Sequence, residues 1–387
     1  MSIRLRALAA IVAGAVLAAP LSAKAPDASP FSVNPDIPVA LLVDADTGQV
    51  LFERGASRRF VPASVTKVMT LYTAFEMIED GELDLKQSLT VSPEAWRQWR
   101  GKGSTMFLNA GDRVGLPDLL TGIATVSAND ASFVLAQGAS GSVENWTAQM
   151  NAKARAIGMT QSHFATPNGW PDEGRTFTSA GDLATLARAL YREHPRSVAR
   201  FIGRAQFRYG GITQSNRDPM LGEVDGADGL KTGYTNQAGY TYLGSAKRGE
   251  QRLIVVIAGS PRSADRAKAA RDLIEWGFAD FERREIFADG AVVGAARVQN
   301  GSHRRVDLVT DRPVAINLPQ GAGESLAMTI RYDGPLRAPF PAGAAIATLE
   351  ITAPGIAPAR VPLFAGHSVE KANWLDRIVN AVARWLG

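Results

Sequence analysis

Short apolar runs bounded by turn residues mark the beginning of the folded chain. Val39–Val43 and Gln49–Phe52 are two such runs, and they flank the Asp- and Gly-containing segment Asp44–Gly48. Two strands joined by a tight Asp/Gly turn give this pattern. The sequence therefore predicts a β-hairpin that begins a sheet, after a Pro- and Ser-rich lead-in from Pro26 to Pro35.

A helical pattern follows Pro62. Apolar side chains recur at helical spacing and Gly81 ends the pattern, with the apolar positions at Met69, Leu71, Tyr72, Phe75 and Ile78. Proline at the start and glycine at the end are ordinary helix boundaries. From this pattern alone, Ser64 is simply a residue that caps the helix.

Three further segments have helical patterns, namely Leu116–Ala139, Ser142–Gly158 and Thr178–Glu193. The first is interrupted by the polar tetrad Ser127–Asp130, whose short side chains favour caps and turns over helix interiors. Thr166–Gly169, between the second and third, is predicted to be a turn. We expect these helices to pack against the sheet.

Strand patterns return in the second half of the chain. Asp225–Gly233 is predicted to be a loop, with strand structure starting at Tyr234. Gly239–Gly244 and Leu253–Ile257 predict a second hairpin, and Ser263–Phe281 predicts an amphipathic helix. These elements together predict an α/β (α+β) domain with an antiparallel sheet flanked by helices.

We assign residues 36–281 to this domain and residues 285–365 to a small all-β domain. The second assignment rests on short β-branched runs punctuated by Gly and Pro, such as Val306–Val309, Val314–Leu318 and Ala345–Ile351. Strands at such close spacing are typical of small β domains. No catalytic cluster is visible in this part of the sequence.

The tail, residues 368–387, has the clearest helical pattern in the chain. Apolar side chains, with Trp374 and Trp385 at the two ends, fill one arc of the helix, and polar side chains fill the other. Because the polar arc runs the whole length, the helix cannot span a bilayer. Its terminal position favours a helix lying in a membrane interface. A helix packed on a soluble domain gives the same pattern, and the sequence leaves that alternative open.

Residues 1–25 have the features of a secretory signal. Arg4 and Arg6 precede the uncharged segment Ala7–Ala23, which ends in small residues. This order predicts cleavage near Ala23 or Ala25. An uncleaved membrane anchor is the alternative, although the run is short for a bilayer span. Either interpretation predicts an exported protein.

Composition excludes several classes of function. The length of 387 residues is enough for two or three domains, and a hydrophobic content of 45% is enough for their cores. The net charge is +4 and the basic residues are scattered among acidic ones, so no nucleic-acid surface is expected. Absence of cysteine excludes disulfides and thiolate chemistry. The four histidines lack metal-ligand spacing, and we expect no metal and no other cofactor.

Two segments contain a serine and a lysine three residues apart, Ser64–Lys67 and Ser368–Lys371. Such residues are neighbours on a helix, which places an amine beside a hydroxyl. Lysine can activate serine only if its pKa falls far below about 10.4, which burial and nearby cations can achieve. One match is a weak signal. The second copy is predicted to start the tail helix, with Ser368 as a cap and no catalytic partner nearby.

The first copy is followed, in order, by Ser127–Asn129 and Lys231–Gly233. Ser-x-x-Lys, a Ser-x-Asn element and Lys-Thr-Gly form a known catalytic signature. In these motifs the chain resembles the low-molecular-mass penicillin-binding proteins, specifically the D-alanyl-D-alanine carboxypeptidases. The resemblance covers nearly all of the chain and extends to three further segments: Pro62–Ser64, Asp228–Gly233 and Ala238–Tyr240.

The resemblance implies a serine β-lactamase/DD-peptidase-like fold and an acyl-enzyme mechanism. Ser64 would attack the carbonyl between the two terminal D-alanines of a peptidoglycan stem peptide, with Lys67 as base. Ser127 would relay a proton to the departing D-alanine, and Asn129 would orient Lys67 and the substrate amide. β-Lactam antibiotics would acylate the same serine, and the enzyme would work in the periplasm, on the outer face of the cytoplasmic membrane.

The resemblance also implies an oxyanion site and a site for the substrate carboxylate. The backbone N–H groups of Ser64 and Tyr234 would hold the oxyanion, with Gly233, the last residue of the Lys-Thr-Gly motif, directly before Tyr234 in the substrate-binding segment. Some relatives have histidine where this chain has Tyr234, so any role of that histidine cannot be transferred. Lys231 would add positive charge and Thr232 would bind the carboxylate. Two arginines match basic residues of the family near the site: Arg266 and Arg217.

Three other functions share part of this signature. A class A β-lactamase needs a Glu-x-x-Leu-Asn element, and none lies between Asn129 and Lys231. A DD-endopeptidase that cuts peptidoglycan crosslinks fits this sequence better than a β-lactamase does. It differs from a carboxypeptidase in its substrate. A non-catalytic penicillin-binding scaffold is disfavoured because every expected polar residue is present. The sequence does not distinguish a monomer from a homodimer.

Overall fold

The structure, a computed structural model, describes residues 31–320, 326–353 and 358–374. The chain divides into two compact units. The described part of the first covers residues 31–46 and 51–280, and that of the second covers residues 47–50 and everything described from Phe281 onward.

A five-stranded sheet is the centre of the first unit. Its strands, in chain order, are β1 (Val39–Asp44), β2 (Val50–Arg54), β7 (Ala227–Thr235), β8 (Gly239–Arg248) and β9 (Gln251–Ser260). The order across the sheet is β2-β1-β9-β8-β7, and the pairs β1–β9, β9–β8 and β8–β7 are antiparallel. The predicted hairpins and the antiparallel sheet are therefore confirmed.

The sheet is buried because its central strand is apolar on both faces. Leu253, Val255 and Ile257 of β9 belong to one apolar cluster with Leu273 and Ile274 of the helix α8 (Ser263–Ala279). Side chains next to them in sequence point to the opposite face. Those residues are also fully buried: Ile254, Val256 and Ala258.

Seven helices lie between β2 and β7, together with two short hairpins. The helices are α1 (Lys67–Glu79), α2 (Pro93–Trp99), α3 (Leu116–Thr125), α4 (Asn129–Ser140), α5 (Val143–Ala156), α6 (Ala180–Glu193) and α7 (Pro195–Phe201). The hairpins are β3 (Ser88–Thr90) with β4 (Arg113–Gly115), and β5 (Gln206–Tyr209) with β6 (Ile212–Ser215). The predicted break appears between α3 and α4, and Ser142 and Ser179 cap α5 and α6 through their side chains.

One prediction in this unit is wrong. Asp225–Gly233 was expected to be a loop, but Ala227–Thr235 forms β7, the edge strand paired with β8. A shift in register between Ala227 and Gly229 accommodates Gly229, which has φ +94°. Glycines and charged residues hide the strand in the sequence, and the tertiary pairing with β8 forms it nonetheless.

The second unit is a β structure with its own apolar core. Its strands are β10 (Phe281–Phe287), β11 (Val292–Gln299), β12 (Arg305–Val309), β13 (Val314–Pro319), β14 (Ala327–Arg331), β15 (Leu336–Arg337), β16 (Ala345–Thr352) and β17 (Ala359–Ala365). Six of them form a sheet in the order β14-β16-β17-β12-β11-β15, and β10 pairs with β13. The all-β character predicted for this region is confirmed.

The tail departs from its prediction between Ser368 and Asn373, whereas Trp374 is helical as predicted. Val369 and Lys371 form β-bridges with Phe340 and Gly301, so the chain is extended there and no helix begins at Val369. The rest of the predicted helix, residues 375–387, lies outside the described residues, as does the predicted signal at residues 1–25. Within the described ranges, no helix has the length and hydrophobicity needed to cross a bilayer.

Candidate active site

Ser64 lies in a tight turn at the start of α1. Ala63–Thr66 form a 3₁₀ turn, and the α-helix begins at Lys67, so the predicted single α-helical turn is in fact a 3₁₀ turn followed by a helix. Lys67 Nζ lies 2.9 Å from Ser64 Oγ. Lys67 is 0% exposed, whereas Ser64 is partly exposed. The pair therefore combines an accessible hydroxyl with an amine shielded from water.

The surroundings of Lys67 favour a neutral amine. Its Nζ donates to Asn129 Oδ1 at 2.8 Å and to the backbone oxygen of Asn168 at 2.7 Å. Both partners accept, so the two N–H bonds of a neutral amine satisfy them and its lone pair faces the Ser64 hydroxyl. Burial, and then the charge of Lys231, hold the pKa of Lys67 well below its usual range, against the opposing effect of Asp130. This is the state that a general base requires.

The break between α3 and α4 forms a second side of the site. Ser127 has φ +64°, a strained conformation for a residue with a side chain, and it is mostly buried. Asn129 fixes the loop that contains Ser104, because its backbone N–H donates to the Ser104 oxygen at 2.8 Å. Asp130 accepts N–H bonds from Met106 (3.0 Å) and Leu108 (3.2 Å), which fix the same loop.

Strand β7 forms the third side. Lys231 is 4% exposed, and its Nζ donates to the Thr232 oxygen at 3.0 Å. Burial, and then the charge of Arg217, lower the pKa of Lys231 to about 7, and Arg266 adds to this effect. Asp218 opposes it. These three basic side chains thus act on one another at one edge of the site, where a carboxylate would relieve their repulsion.

Gly233 lets β7 approach the serine turn closely. A Cβ added at Gly233 would lie 2.6 Å from the Pro62 oxygen, a distance that a real side chain does not tolerate, and 3.1 Å from the Ser64 nitrogen, which is also tight. The strand backbone therefore runs directly beside the Ser64 backbone. Tyr234 follows, is 51% exposed, and stacks on Tyr240 with ring centroids 4.3 Å apart.

The two arginines differ in their surroundings. Arg266 is 7% exposed, its guanidinium lies over the Tyr240 ring at 5.8 Å, and its Nε has no hydrogen-bond partner among the described residues. Burial lowers its pKa. Arg217 is exposed and donates to Ser104 Oγ at 2.8 Å. Arg266 therefore has unused donor capacity next to Lys231, as a carboxylate site needs.

Sequence reasoning missed two residues that shape the site. Asn168, 1% exposed, supplies the backbone oxygen that Lys67 contacts. Its turn is pressed against the serine turn, since a Cβ on Gly169 would lie 1.8 Å from the Ala63 oxygen. Asp218 accepts the Tyr242 hydroxyl at 2.9 Å, and burial raises its pKa. The Thr-Pro-Asn-Gly turn was visible in the sequence, but nothing there indicated a contact made through a backbone oxygen.

Comparison with known proteins gives a consistent result. Residues 29–262 match the family model for D-alanyl-D-alanine carboxypeptidase, and residues 281–371 match the C-terminal domain of penicillin-binding protein 5. The chain is 32% identical to D-alanyl-D-alanine carboxypeptidase DacC of Escherichia coli K12, over 99% of this chain and 97% of that protein.

Solved structures agree. Penicillin-binding protein 5 from Haemophilus influenzae superposes with a TM-score of 0.76 at 29% identity, covering 89% of this chain and all of that one. Penicillin-binding protein D2 from Listeria monocytogenes, solved in its ampicillin-bound form, gives 0.58 at 26% identity, over 64% of this chain and 99% of its own.

The fold and the serine–lysine pair define a serine peptidase of the penicillin-binding class. Within that class, the chain belongs to the D-alanyl-D-alanine carboxypeptidase family.

Proposed function

We propose that this enzyme removes the terminal D-alanine from peptidoglycan stem pentapeptides through an acyl-enzyme on Ser64. The observation that carries the proposal is the contact between Lys67 Nζ and Ser64 Oγ at 2.9 Å, with the other two neighbours of the amine both acceptors. A fully buried, neutral amine in this arrangement is placed to take the proton of the serine hydroxyl.

The reaction has two stages. Ser64 Oγ attacks the carbonyl of the penultimate D-alanine as its proton passes to Lys67, and the backbone N–H groups of Ser64 and Tyr234 stabilise the oxyanion. When the C–N bond breaks, the proton reaches the leaving amine through Ser127, and D-alanine departs. Water then attacks the ester, releases the shortened peptide and restores the Ser64 hydroxyl.

The basic edge of the site gives the enzyme its preference for a free carboxylate. Lys231 and Arg266 are buried cations with the donor capacity for one, and Thr232 and the more exposed Arg217 complete the set. A peptide that ends in D-alanine carries such a carboxylate, whereas an amide in mid-chain does not. Binding energy spent here holds the terminal peptide bond in place for attack.

β-Lactams offer Ser64 a carbonyl of the same kind, and we propose that they acylate it. The ampicillin-bound structure reported for the Listeria relative supports this. We also propose that the protein is exported to the periplasm and held at the outer face of the cytoplasmic membrane by residues 368–387, on the strength of the sequence patterns at both ends of the chain.

Peptidoglycan digestion tests the substrate. The full protein is incubated with purified wall material containing pentapeptides and crosslinks, and the products are identified by mass spectrometry, with Ser64→Ala as control. Conversion of pentapeptides to tetrapeptides plus D-alanine, with crosslinks intact, is the expected result. Loss of crosslinks with pentapeptides unchanged would instead identify an endopeptidase and overturn the proposal.

A further inference from the structure

A buried histidine lies among glutamates at the end of α1 opposite to Lys67. Glu76 and Glu79 belong to the last turns of α1, while Glu193 and His194 lie where α6 ends. His194 is 0% exposed. One ligand atom from each of Glu76, Glu193 and His194 lies within 4.8 Å of the other two. The acylation site uses none of these side chains.

The hydrogen bonds of His194 leave one ring nitrogen free. Nδ1 lies 2.9 Å from Glu79 Oε1, and since a carboxylate only accepts, Nδ1 carries the proton. Nε2 lies 3.0 Å from Glu76 Oε1 but is not aligned for a hydrogen bond, and it has no such partner in the described chain. A buried lone pair beside a carboxylate oxygen is repulsive unless a positive species binds both. A histidine oriented by a second carboxylate is typical of metal ligands.

The charge around His194 also favours an added cation. Three carboxylates meet there, and two basic side chains contact them: Lys153 Nζ lies 3.4 Å from Glu76 Oε2, and Arg192 pairs with Glu193. With a neutral imidazole the cluster keeps a negative charge. The last turn of α1 contains no basic residue, and a helix C-terminus itself attracts cations.

The geometry fits a small divalent ion. Bonds of about 2.0–2.2 Å in tetrahedral geometry place neighbouring ligand atoms about 3.3 Å apart, close to the 3.0 Å between His194 Nε2 and Glu76 Oε1. The Tyr72 hydroxyl donates to Glu193 Oε2 at 2.6 Å and fixes that carboxylate. Glu76 and Glu193 are 29% and 30% exposed, which leaves a path for the ion and for water as a further ligand.

We propose that Glu76, Glu193 and His194 bind a divalent cation, with Glu79 orienting the imidazole. Imidazole and carboxylate donors suit Zn²⁺. The ion would fasten the C-terminal ends of α1 and α6 to each other. Glu76 follows Lys67 by nine residues, about 13.5 Å along a helix axis, so the ion takes no part in acylation.

Zinc binding to the full-length, untagged protein tests the site. After chelator treatment, the protein is titrated with ZnCl₂ by calorimetry and its melting temperature is followed. We expect one ion per chain and a higher melting temperature with zinc. His194→Gln abolishes both effects, and Glu79→Gln lowers affinity about 10- to 100-fold, as loss of an orienting carboxylate does. His163→Gln, which alters an exposed histidine, binds like the wild type.

Two results would overturn the proposal. One is the absence of stoichiometric binding to the wild-type protein. The other is wild-type affinity in both His194→Gln and Glu76→Gln, and the second of these variants, at a partly exposed position, carries the test if the first does not fold. Labelling of zinc-free protein by a fluorescent penicillin reports on Ser64 separately, so failure of this site and failure of the proposed function are distinguishable.

Discussion

The two Ser-x-x-Lys copies have the same sequence pattern and opposite structures. Lys67 is fully buried and contacts Ser64, Asn129 and Asn168. Lys371 is exposed on an extended segment, where it forms a β-bridge with Gly301. In an extended chain, side chains three residues apart point to opposite faces, so the second copy cannot place its amine beside its hydroxyl.

The comparison shows that the motif acts through its surroundings. Ser368 Oγ accepts a hydrogen bond from the Ala342 backbone and is engaged in loop structure. Around Lys67, by contrast, Asn129 and Asn168 accept from the amine, and burial and the charge of Lys231 lower its pKa against the opposing effect of Asp130. Helical spacing, burial and a second lysine give the first pair the surroundings that the proposed nucleophile and base require.

The largest difference between the copies is expected for serine. Ser64→Ala abolishes covalent labelling by a fluorescent penicillin, because no other nucleophile occupies that position, whereas Ser368→Ala is labelled like the wild type. Labelling is read on denaturing gels. Retained labelling of Ser64→Ala would remove Ser64 as the acylated residue.

The lysines give the next largest contrast. Lys67→Ala lowers release of D-alanine from a pentapeptide by about 10²- to 10⁴-fold, the usual contribution of a general base. Lys371→Ala leaves it unchanged. Circular dichroism melting verifies that both variants fold, and near-normal release by a folded Lys67→Ala would exclude Lys67 as the base.

The first copy is also expected to depend on pH, because Lys231, which lowers the pKa of Lys67, titrates near neutrality. Its folded-state pKa of about 7 lies below the usual 10.5, so unfolding takes up a proton between these values and the free energy of unfolding rises with pH in that window. Lys231→Gln shows a flatter profile there in denaturant titrations. The wild-type KM for pentapeptide rises above pH about 7, as Lys231 loses its charge. Identical pH profiles for the two proteins would contradict a lowered pKa of Lys231.

The smallest effect on catalysis is expected at the tail. Removing residues 375–387 leaves hydrolysis of a small soluble substrate unchanged, because the described site contains none of them. Association with sedimented membranes is lost, as expected for an interfacial helix. A truncated protein that still sediments with membranes would refute anchoring by the tail.

Most residues of the candidate site could be predicted from the sequence, because they act through side chains that belong to recognisable motifs. Ser64, Lys67 and Asn129 belong to motifs, and the structure brings them into direct contact. Asn168 was missed since it acts through a backbone oxygen, which any residue type provides. Asp218, which is partly buried, was missed because its effect on Lys231 depends on a contact formed by the fold.

The fold shows the same limit. Helices with clear caps, such as α5 and α6, were predicted within two residues of their boundaries. β7 was not, because Gly229, Lys231 and Gly233 are poor strand formers held by pairing with β8. The hairpins β3–β4 and β5–β6 have strands of three or four residues, too short for a periodic signal.

The close approaches at Gly169 and Gly233 also bear on inhibitor design and on drug resistance. At both glycines the backbone lies directly against the turn that contains Ser64. Neither position therefore accepts a larger residue without displacing Ser64. Mutations that spare catalysis are therefore expected on the exposed rim, at side chains such as Tyr234 and Trp170. An inhibitor whose affinity comes from the backbone of the serine turn and of β7 would leave the enzyme few routes of escape.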